Sequence, residues 1–556
     1  MKRRHRYVVV CLAVFAVALA FRTLTLYWSP FPATLDGFDY AALARDTLAS
    51  GQLPLGRLRA DNFVFTGGLA LVSALTDSRP VTMAQPVIAV LGAGSCLTAV
   101  AVVRRLGRRL ALSGRRVRCA AVVAGFGLAA EGLYLRRTGV ADEEAIGLLL
   151  VPLLAITFHR ALRTRRPAWI VAAAVIAIAF PLLHTFSTLI AALTLLGVLA
   201  TQLLRVPSTR LATVGLVFVG GFWAYFALYY EVAARVGLTV PYVGRVLAFP
   251  GLFIAWLIVL VVGVLWVRSA QPRLQRAGLL GAVAVGYAVL VANVFVPVFP
   301  GTVTTPLPIL ALASLFVVPV VLASSRLPDV TADAGDGAVV VALLAAPAVQ
   351  TFFSLTASLT PEFYGTVMRT QTFVHFPVFV LAALAAVGLP AAGRLSLGRL
   401  GLPGRLGSVR TIAVTLLLLS AALTAPLAFV DLDTATYPST TTHEEFAAAS
   451  FTATHVPGRW TSDDPSTRIG SLYYPGRTQA SQAPVGSWLT GGSPPDCPVL
   501  SARSWTTSGA HLFPLAPATI PPTRYRHWLA DRNLVYTTSG ADPFSLTRPT
   551  TSSSQC

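Results

Sequence analysis

The sequence predicts an all-α polytopic membrane protein of about thirteen transmembrane helices with a small hydrophilic domain at its C-terminal end. Three observations lead there. Of 556 residues, 55% are hydrophobic and only 12% charged, with a mean hydropathy of +0.68. Soluble chains carry roughly a quarter charged residues, so lipid must solvate much of this one. The net charge of +20 sits in short arginine clusters between apolar runs, as the positive-inside rule requires. That distribution argues against nucleic acid as a partner, which needs basic charge gathered on one folded face. After Val430 the composition turns to Thr, Ser, Pro and Gly with scattered Trp and Tyr.

Apolar runs long enough to span lie near 7–28, 84–103, 117–135, 144–159, 168–183, 185–204, 211–230, 250–267, 277–297, 306–323, 337–357, 372–391 and 411–430. Met1 to Arg6 followed by an apolar run resembles the start of a signal peptide. The run continues to Trp28 without a small-residue cleavage site, however, and reads as a retained first helix. Threading the runs from a cytoplasmic N-terminus puts Arg104, Arg105, Arg108, Arg109, Arg115, Arg116 and Arg118 in one cytoplasmic loop and Arg160, Arg163, Arg165 and Arg166 in the next. Arg268, Arg273 and Arg276, then Arg394, Arg399, Arg405 and Arg410, also fall inside. Counting the apolar stretch Phe63 to Leu75 as a span would put the first of these clusters outside. It reads instead as a short helix along the outer interface, within a first external loop 29–83.

This gives two parts: a transmembrane part, 1–430, and an extracellular C-terminal domain, 431–556, whose end, Thr550 to Ser554, reads as disordered. The protein is expected in the cell membrane as a multi-pass chain. Cys11, Cys96 and Cys119 lie in or beside apolar segments without metal-ligand spacing and read as packed thiols. Cys497 and Cys556 belong to the polar tail, where a disulfide is permitted if that tail is outside.

The acidic residues are few. On this topology Asp36, Asp39, Asp46, Asp61 and Asp77 fall in the first external loop, and Glu131, Asp142, Glu143 and Glu144 at the second. Such a cluster could supply a general base or hold a divalent cation such as Mg or Mn through hard oxygen ligands. It could equally be a set of solvated loop acids, or partners for Arg45, Arg57, Arg59, Arg136 and Arg137.

The run Leu35-Asp36-Gly37-Phe38-Asp39-Tyr40-Ala41-Ala42-Leu43-Ala44-Arg45, continuing through Ser50-Gly51 to Pro54, resembles the first external loop of GT-C glycosyltransferases, membrane enzymes that use polyprenyl-phosphate sugars. Their pattern is an Asp, usually Asp-Glu, then Tyr-Ala, an Ala-Arg helix and Ser-Gly before a Pro. The matching positions are Asp36, Tyr40, Ala41, Ala44, Arg45, Ser50, Gly51 and Pro54. The resemblance extends to Thr138–Glu144, where the family often has a second acidic residue, and to the many-helix body with its external C-terminal domain. Gly37 departs from the usual Glu, and Asn62-Phe63-Val64-Phe65-Thr66 replaces a frequent Pro-Pro-Leu. The tail contains no Trp-Trp-Asp, which separates the chain from oligosaccharyltransferases. The arginine-rich, threonine-rich layout looks most like haloarchaeal dolichol-phosphate-mannose mannosyltransferases, which implies a dolichyl-phosphate sugar donor and a glycan or glycoprotein acceptor, with addition of a terminal N-glycan sugar.

Chemistry narrows the candidates. A sugar on a polyprenyl phosphate must react at the membrane surface, because neither headgroup nor acceptor enters hydrocarbon. Direct displacement needs a carboxylate to deprotonate the acceptor hydroxyl and a cation to stabilise the departing phosphate, and inversion of the anomeric centre follows. Asp36 is the expected base, with Asp39, Asp142 or Glu143 as supporting acid or metal ligand. Arg369 begins the twelfth span on the outer side, against the positive-inside trend, so it is the expected phosphate ligand; the alternative is snorkelling to lipid headgroups. Arg22 is a second phosphate candidate. His184, at an outer turn, could bond a sugar or phosphate or be satisfied within the bundle. Trp460, Trp488, Trp505 and Trp528 could stack on sugars or pack a core. A transporter or lipid-linked sugar flippase is the main rival, but transporters usually carry ionisable midplane sites and paired halves. A membrane scaffold is the third class.

Overall fold

The computed structural model describes residues 2–302, 304–332, 335–389, 394–396, 405–429, 440–513, 517–550 and 556. The expected domain boundary at 430/431, Arg399 and the expected disordered run 551–554 lie outside the described residues.

Among the described residues, eleven helices are long and apolar enough to cross a membrane, or twelve if one bent pair is a single span. The thirteenth expected span, 168–183, is the shorter apolar helix Pro167–Leu183 of 17 residues. At 1.5 Å per residue it rises about 26 Å, somewhat less than the hydrocarbon core. Among the described residues the span count is therefore eleven or twelve by length, with helix in each expected run. The elements that position the site are α1 (Lys2–Thr23), α2 (Asp36–Ser50), α3 (Pro80–Arg109), α4 (Gly114–Ala130), α5 (Gly132–Gly139), α6 (Glu144–Thr164), α7 (Thr185–Leu203) and α8 (Pro361–Gly388). Phe63–Thr76 is a separate helix of 14 residues, too short to span.

Local chemistry starts these helices. Pro80, Pro167 and Pro361 occupy first-turn positions where the missing N–H costs nothing. Ser113, Ser208 and Ser408 cap others by accepting a backbone N–H. The helices α6, α7 and α8 are largely enclosed, whereas Thr209–Arg235, Pro250–Ser269 and Pro272–Phe295 turn most of their surface outward. The centre is rich in small residues: Ala93, Ala99, Ala120, Ala124, Ala382 and Ala386 are buried together. Small side chains let helix backbones approach closely where no hydrophobic effect drives them together.

The helices α4 and α5 meet at a 70° bend. Glu131, expected among the outer loop acids, is buried at this bend, where it caps α5 by accepting from the N–H groups of Leu133 and Tyr134. It also lies 2.7 Å from His375 Nδ1 on α8. The bend takes the chain sideways toward 140–144.

The C-terminal part is a mixed α/β unit. Its strands β1 (Arg459–Thr461), β2 (Gln479–Ser481), β3 (Val499–Ala502), β4 (Arg532–Thr537) and β5 (Phe544–Pro549) form one sheet in the order β2-β1-β3-β5-β4. Strand β1 runs parallel to β2 and β3, and β5 antiparallel to β3 and β4. Trp460, Trp488, Trp505 and Trp528 are all buried in its core, so packing, not sugar stacking, is their role here. Cys497 and Cys556 form a disulfide. The core continues into the 29–83 segment: Phe446 stacks on Phe38 of α2 at 5.8 Å and lies 4.3 Å from Phe31.

Candidate active site

The first turn of α2 places Asp36 and Asp39 at a helix N-terminus, where the peptide dipoles favour negative charge. Gly37 lies between them, closely packed. A Cβ there would lie 2.4 Å from the Cβ of Pro32 and 3.1 Å from that of Ala141. Only glycine lets α2 close onto the 140–143 turn, and that closure brings the first-loop acids to Asp142 and Glu143. A second close approach does the same for His184: a Cβ at Gly147 would lie 1.9 Å from Ser187 Oγ, so α6 and α7 pack with almost no gap.

Arginines thread through the acids. Arg369, in the third turn of α8, sits 3.3 Å from Glu144 Oε2 and 3.6 Å from Asp142 Oδ2. Arg137, on α5, approaches Glu144 at 3.9 Å. Glu143 pairs with Arg59, which also donates to Tyr40 Oη at 3.1 Å and to the buried Asp61 at 3.3 Å. Asp61 accepts from the N–H and hydroxyl of Thr185 at 3.1 and 2.8 Å, which ties the first loop to the start of α7. Asp39 lies 3.7 Å from Arg57, which binds Asp46 at 2.5 Å. Asp36 is the most open of these carboxylates: its side chain is 51% exposed and its ion partner, at 3.8 Å, is Arg468 from the C-terminal unit.

Burial alone would raise the Asp142 carboxyl. Arg369, His184, the Glu144 N–H and Arg137 outweigh it and hold Asp142 below the usual carboxylate range. Asp39 is raised, chiefly by burial, against Arg57 and Arg59. At the turn before α7, burial pushes His184 down to about 4, so it is neutral near pH 7. Its Nδ1 lies 2.8 Å from Ser187 Oγ.

The loop after Thr209–Arg235 covers this group. Tyr242 adopts φ +63°, unusual for a residue with a side chain. Its ring lies 6.2 Å from the His184 ring, 4.5 Å from the Arg245 guanidinium and 5.8 Å from that of Arg369. Arg245 donates to Thr366 Oγ1 on α8 at 2.6 Å.

Of the residues expected from sequence, Asp36, Asp39, Asp142, Glu143, Arg369 and His184 gather at one end of the helical body. Arg22 does not join them. It is buried, donating to Thr138 Oγ1 at 2.5 Å and the Ala18 carbonyl at 3.1 Å, with Cys96 Sγ at 3.7 Å. The sequence pointed to none of Arg468, Tyr242 and Arg245; it placed Asp61 and Glu144 in the acidic cluster and offered Arg59 and Arg137 as partners for those acids, which they are. Scarcity of acids was the one available signal for Asp61 and Glu144. Among the described residues no three His, Cys, Asp or Glu side chains are grouped to hold a metal ion. Asp142 and Glu143 face guanidinium groups instead, an arrangement that does not fit a cation.

No protein-family model and no curated protein matches the chain. Among solved structures it is similar to the oligosaccharyltransferase AglB of Archaeoglobus fulgidus in complex with an inhibitory peptide and a dolichol-phosphate. The identity is 14% and the TM-score 0.50, over 90% of this chain and 70% of that one. The apo form of the A. fulgidus oligosaccharyltransferase matches over the same shares at 13% identity and TM-score 0.50. ArnT of Cupriavidus metallidurans in the apo state aligns over 97% of both chains at 13% identity, with a TM-score of 0.36. At such identity the likeness is one of fold: a GT-C-like body of membrane helices with a smaller C-terminal unit.

Proposed function

We propose that this protein is a membrane glycosyltransferase that moves a sugar, mannose by the likeness of its sequence, from dolichyl phosphate to a glycan acceptor, as the terminal sugar of a protein N-linked glycan. The observation that carries the reading is the pairing of Asp142 and Glu144 with Arg369 at one end of a helical body, beside the open Asp36 and the Arg59-bound Glu143. The acceptor oxygen attacks the anomeric carbon, its proton passes to Asp36, and the bond from that carbon to the phosphate oxygen breaks with inversion. Asp36 suits the base because its side chain is open while Asp142 and Glu143 are engaged. Arg369 receives the departing phosphate, its planar fork matching two phosphate oxygens. In this resting arrangement Asp142 and Glu144 hold that guanidinium in place.

Residues 1–430 form the catalytic membrane part and 431–556 an extracellular domain in the cell membrane, with the N-terminus cytoplasmic. The arginine clusters support this orientation, and the disulfide supports an oxidising side for the tail. A reporter between Arg109 and Arg115 should be cytoplasmic and one fused after Val430 external.

The test is transfer from purified dolichyl-phosphate-mannose to a glycan acceptor by protein in liposomes. Wild type should form a glycosidic product, Arg369→Ala should lose it while still accumulating, and Arg369→Lys should recover part. Lipid scrambling without product would establish the flippase reading instead. Full activity in both variants would remove Arg369 from the phosphate site.

A further inference from the structure

A second feature of the body lies far from the carboxylate group. A cleft of about 370 Å³ opens between the first turns of α1 and α4. Its mouth is basic: His5 and Arg6 come from α1, Arg115 and Arg118 from α4. Its walls are apolar: Val9 and Val10 on one side, Val122 and Cys119 on the other. Along α1 the apolar surface continues outward through Val8, Val9 and Leu12, all exposed. Among the described residues none of the four basic side chains pairs with a carboxylate. Arg104 and Arg108 add charge nearby, where they lie over the Tyr7 ring at 4.1 and 5.8 Å.

We propose that this cleft is a binding site for an anionic glycerophospholipid such as phosphatidylglycerol. Unpaired guanidiniums on two helices present several N–H donors to phosphate oxygens. The N-terminus of α4, capped by Ser113, faces the same mouth and adds its positive dipole end. The valine walls and the exposed face of α1 take the acyl chains. A soluble anion would use only the mouth, whereas a lipid uses both parts. Basic pockets between membrane helices bind anionic headgroups for this reason. The site is separate from the carboxylate group: α1 has 22 residues, about 33 Å of rise, with the cleft at its start and Asp36 beyond its end. The proposal is independent of the glycosyltransferase reading.

The experiment uses full-length protein in nanodiscs, titrated with phosphatidylglycerol or phosphatidylcholine and followed by native mass spectrometry. Each arginine near a charged headgroup is worth about fivefold in binding, so Arg115→Ala with Arg118→Ala should weaken phosphatidylglycerol binding about 30-fold. Arg109→Ala with Arg116→Ala removes the same charge from side chains that do not line the cleft and should leave binding nearly unchanged. A second readout needs no variant. Cys119 lines the cleft and is exposed, so phosphatidylglycerol in phosphatidylcholine vesicles should slow its maleimide labelling several-fold. Equal losses in both double variants, equal binding of the two lipids, or unchanged Cys119 labelling would overturn the proposal.

Discussion

Replacing Asp36 by Asn separates catalysis from folding, because the structure limits what the substitution can cost in stability. Asn has nearly the same shape, so no void opens. The one ion pair lost is with Arg468 at 3.8 Å, between side chains 51% and 34% exposed. A pair that open contributes less than about 1 kcal/mol, and a negative charge in the first turn of α2 contributes roughly 0.3–1 kcal/mol more. The fold should therefore lose no more than about 2 kcal/mol, and insertion and melting temperature should stay close to wild type. Loss of a general base, in contrast, lowers turnover about a hundred- to ten-thousand-fold. The assay is initial-rate sugar transfer from the lipid donor at matched protein levels, with melting of each variant in the same detergent. Two controls frame it. Asp77→Asn, at an exposed helix end, should change neither quantity. Asp61→Asn strips a fully buried carboxylate from Arg59 and Thr185 and should destabilise by several kcal/mol. Asp46→Asn is a poorer control than its loop position implies, because Asp46 bridges Arg45 and Arg57. Near-normal turnover by Asp36→Asn would refute the assignment, and so would a loss matched by destabilisation on the Asp61→Asn scale.

Gly37→Glu, the residue usual at this place in the loops that the sequence resembles, should instead abolish accumulation or activity, since even a Cβ meets Pro32 at 2.4 Å; wild-type expression and turnover would show that α2 can retreat from the 140–143 turn. Cys556→Ser should destabilise the C-terminal unit by about 4 kcal/mol, the chain-entropy value for a closure of 59 residues, read as a lower denaturation midpoint without reductant. Burial, with the Asp463 carboxylate beside it, pushes Glu445 up to about 8. Its folded value is thus above its unfolded one, and its contribution to stability is complete below pH 4.5 and lost as pH rises through 8. Glu445→Gln should flatten the decline in melting temperature over that range; an unchanged pH profile would assign the decline to other groups.

The elements legible beforehand are those written locally in the chain. Apolar runs bounded by arginine show where helices lie, because lipid forces each segment to satisfy its backbone internally and the arginines keep their own side. The first-loop acids were legible for a similar reason: Asp36 and Asp39 are three residues apart and share one helix turn. The short helix Phe63–Thr76 followed from the same charge argument that kept it from being a span.

What lay beyond reach was every pairing set by packing. Arg369 meets Glu144 across 225 positions and Glu131 meets His375 across 244, and no periodicity links such residues. Arg22 and Arg369 both flank apolar runs, yet one is sealed against Thr138 and Cys96 while the other faces the carboxylates. The sheet of the C-terminal unit, its tryptophan core and the reach of Arg468 to Asp36 also depend on tertiary contact. Hydropathy and charge act on each segment through the solvent it meets, so sequence alone determined which segments enter the membrane. Which side chains then stand within a few ångströms of one another depends on how closely helices can approach, and that was decided by contacts such as Gly37 on Pro32 and Gly147 on Ser187.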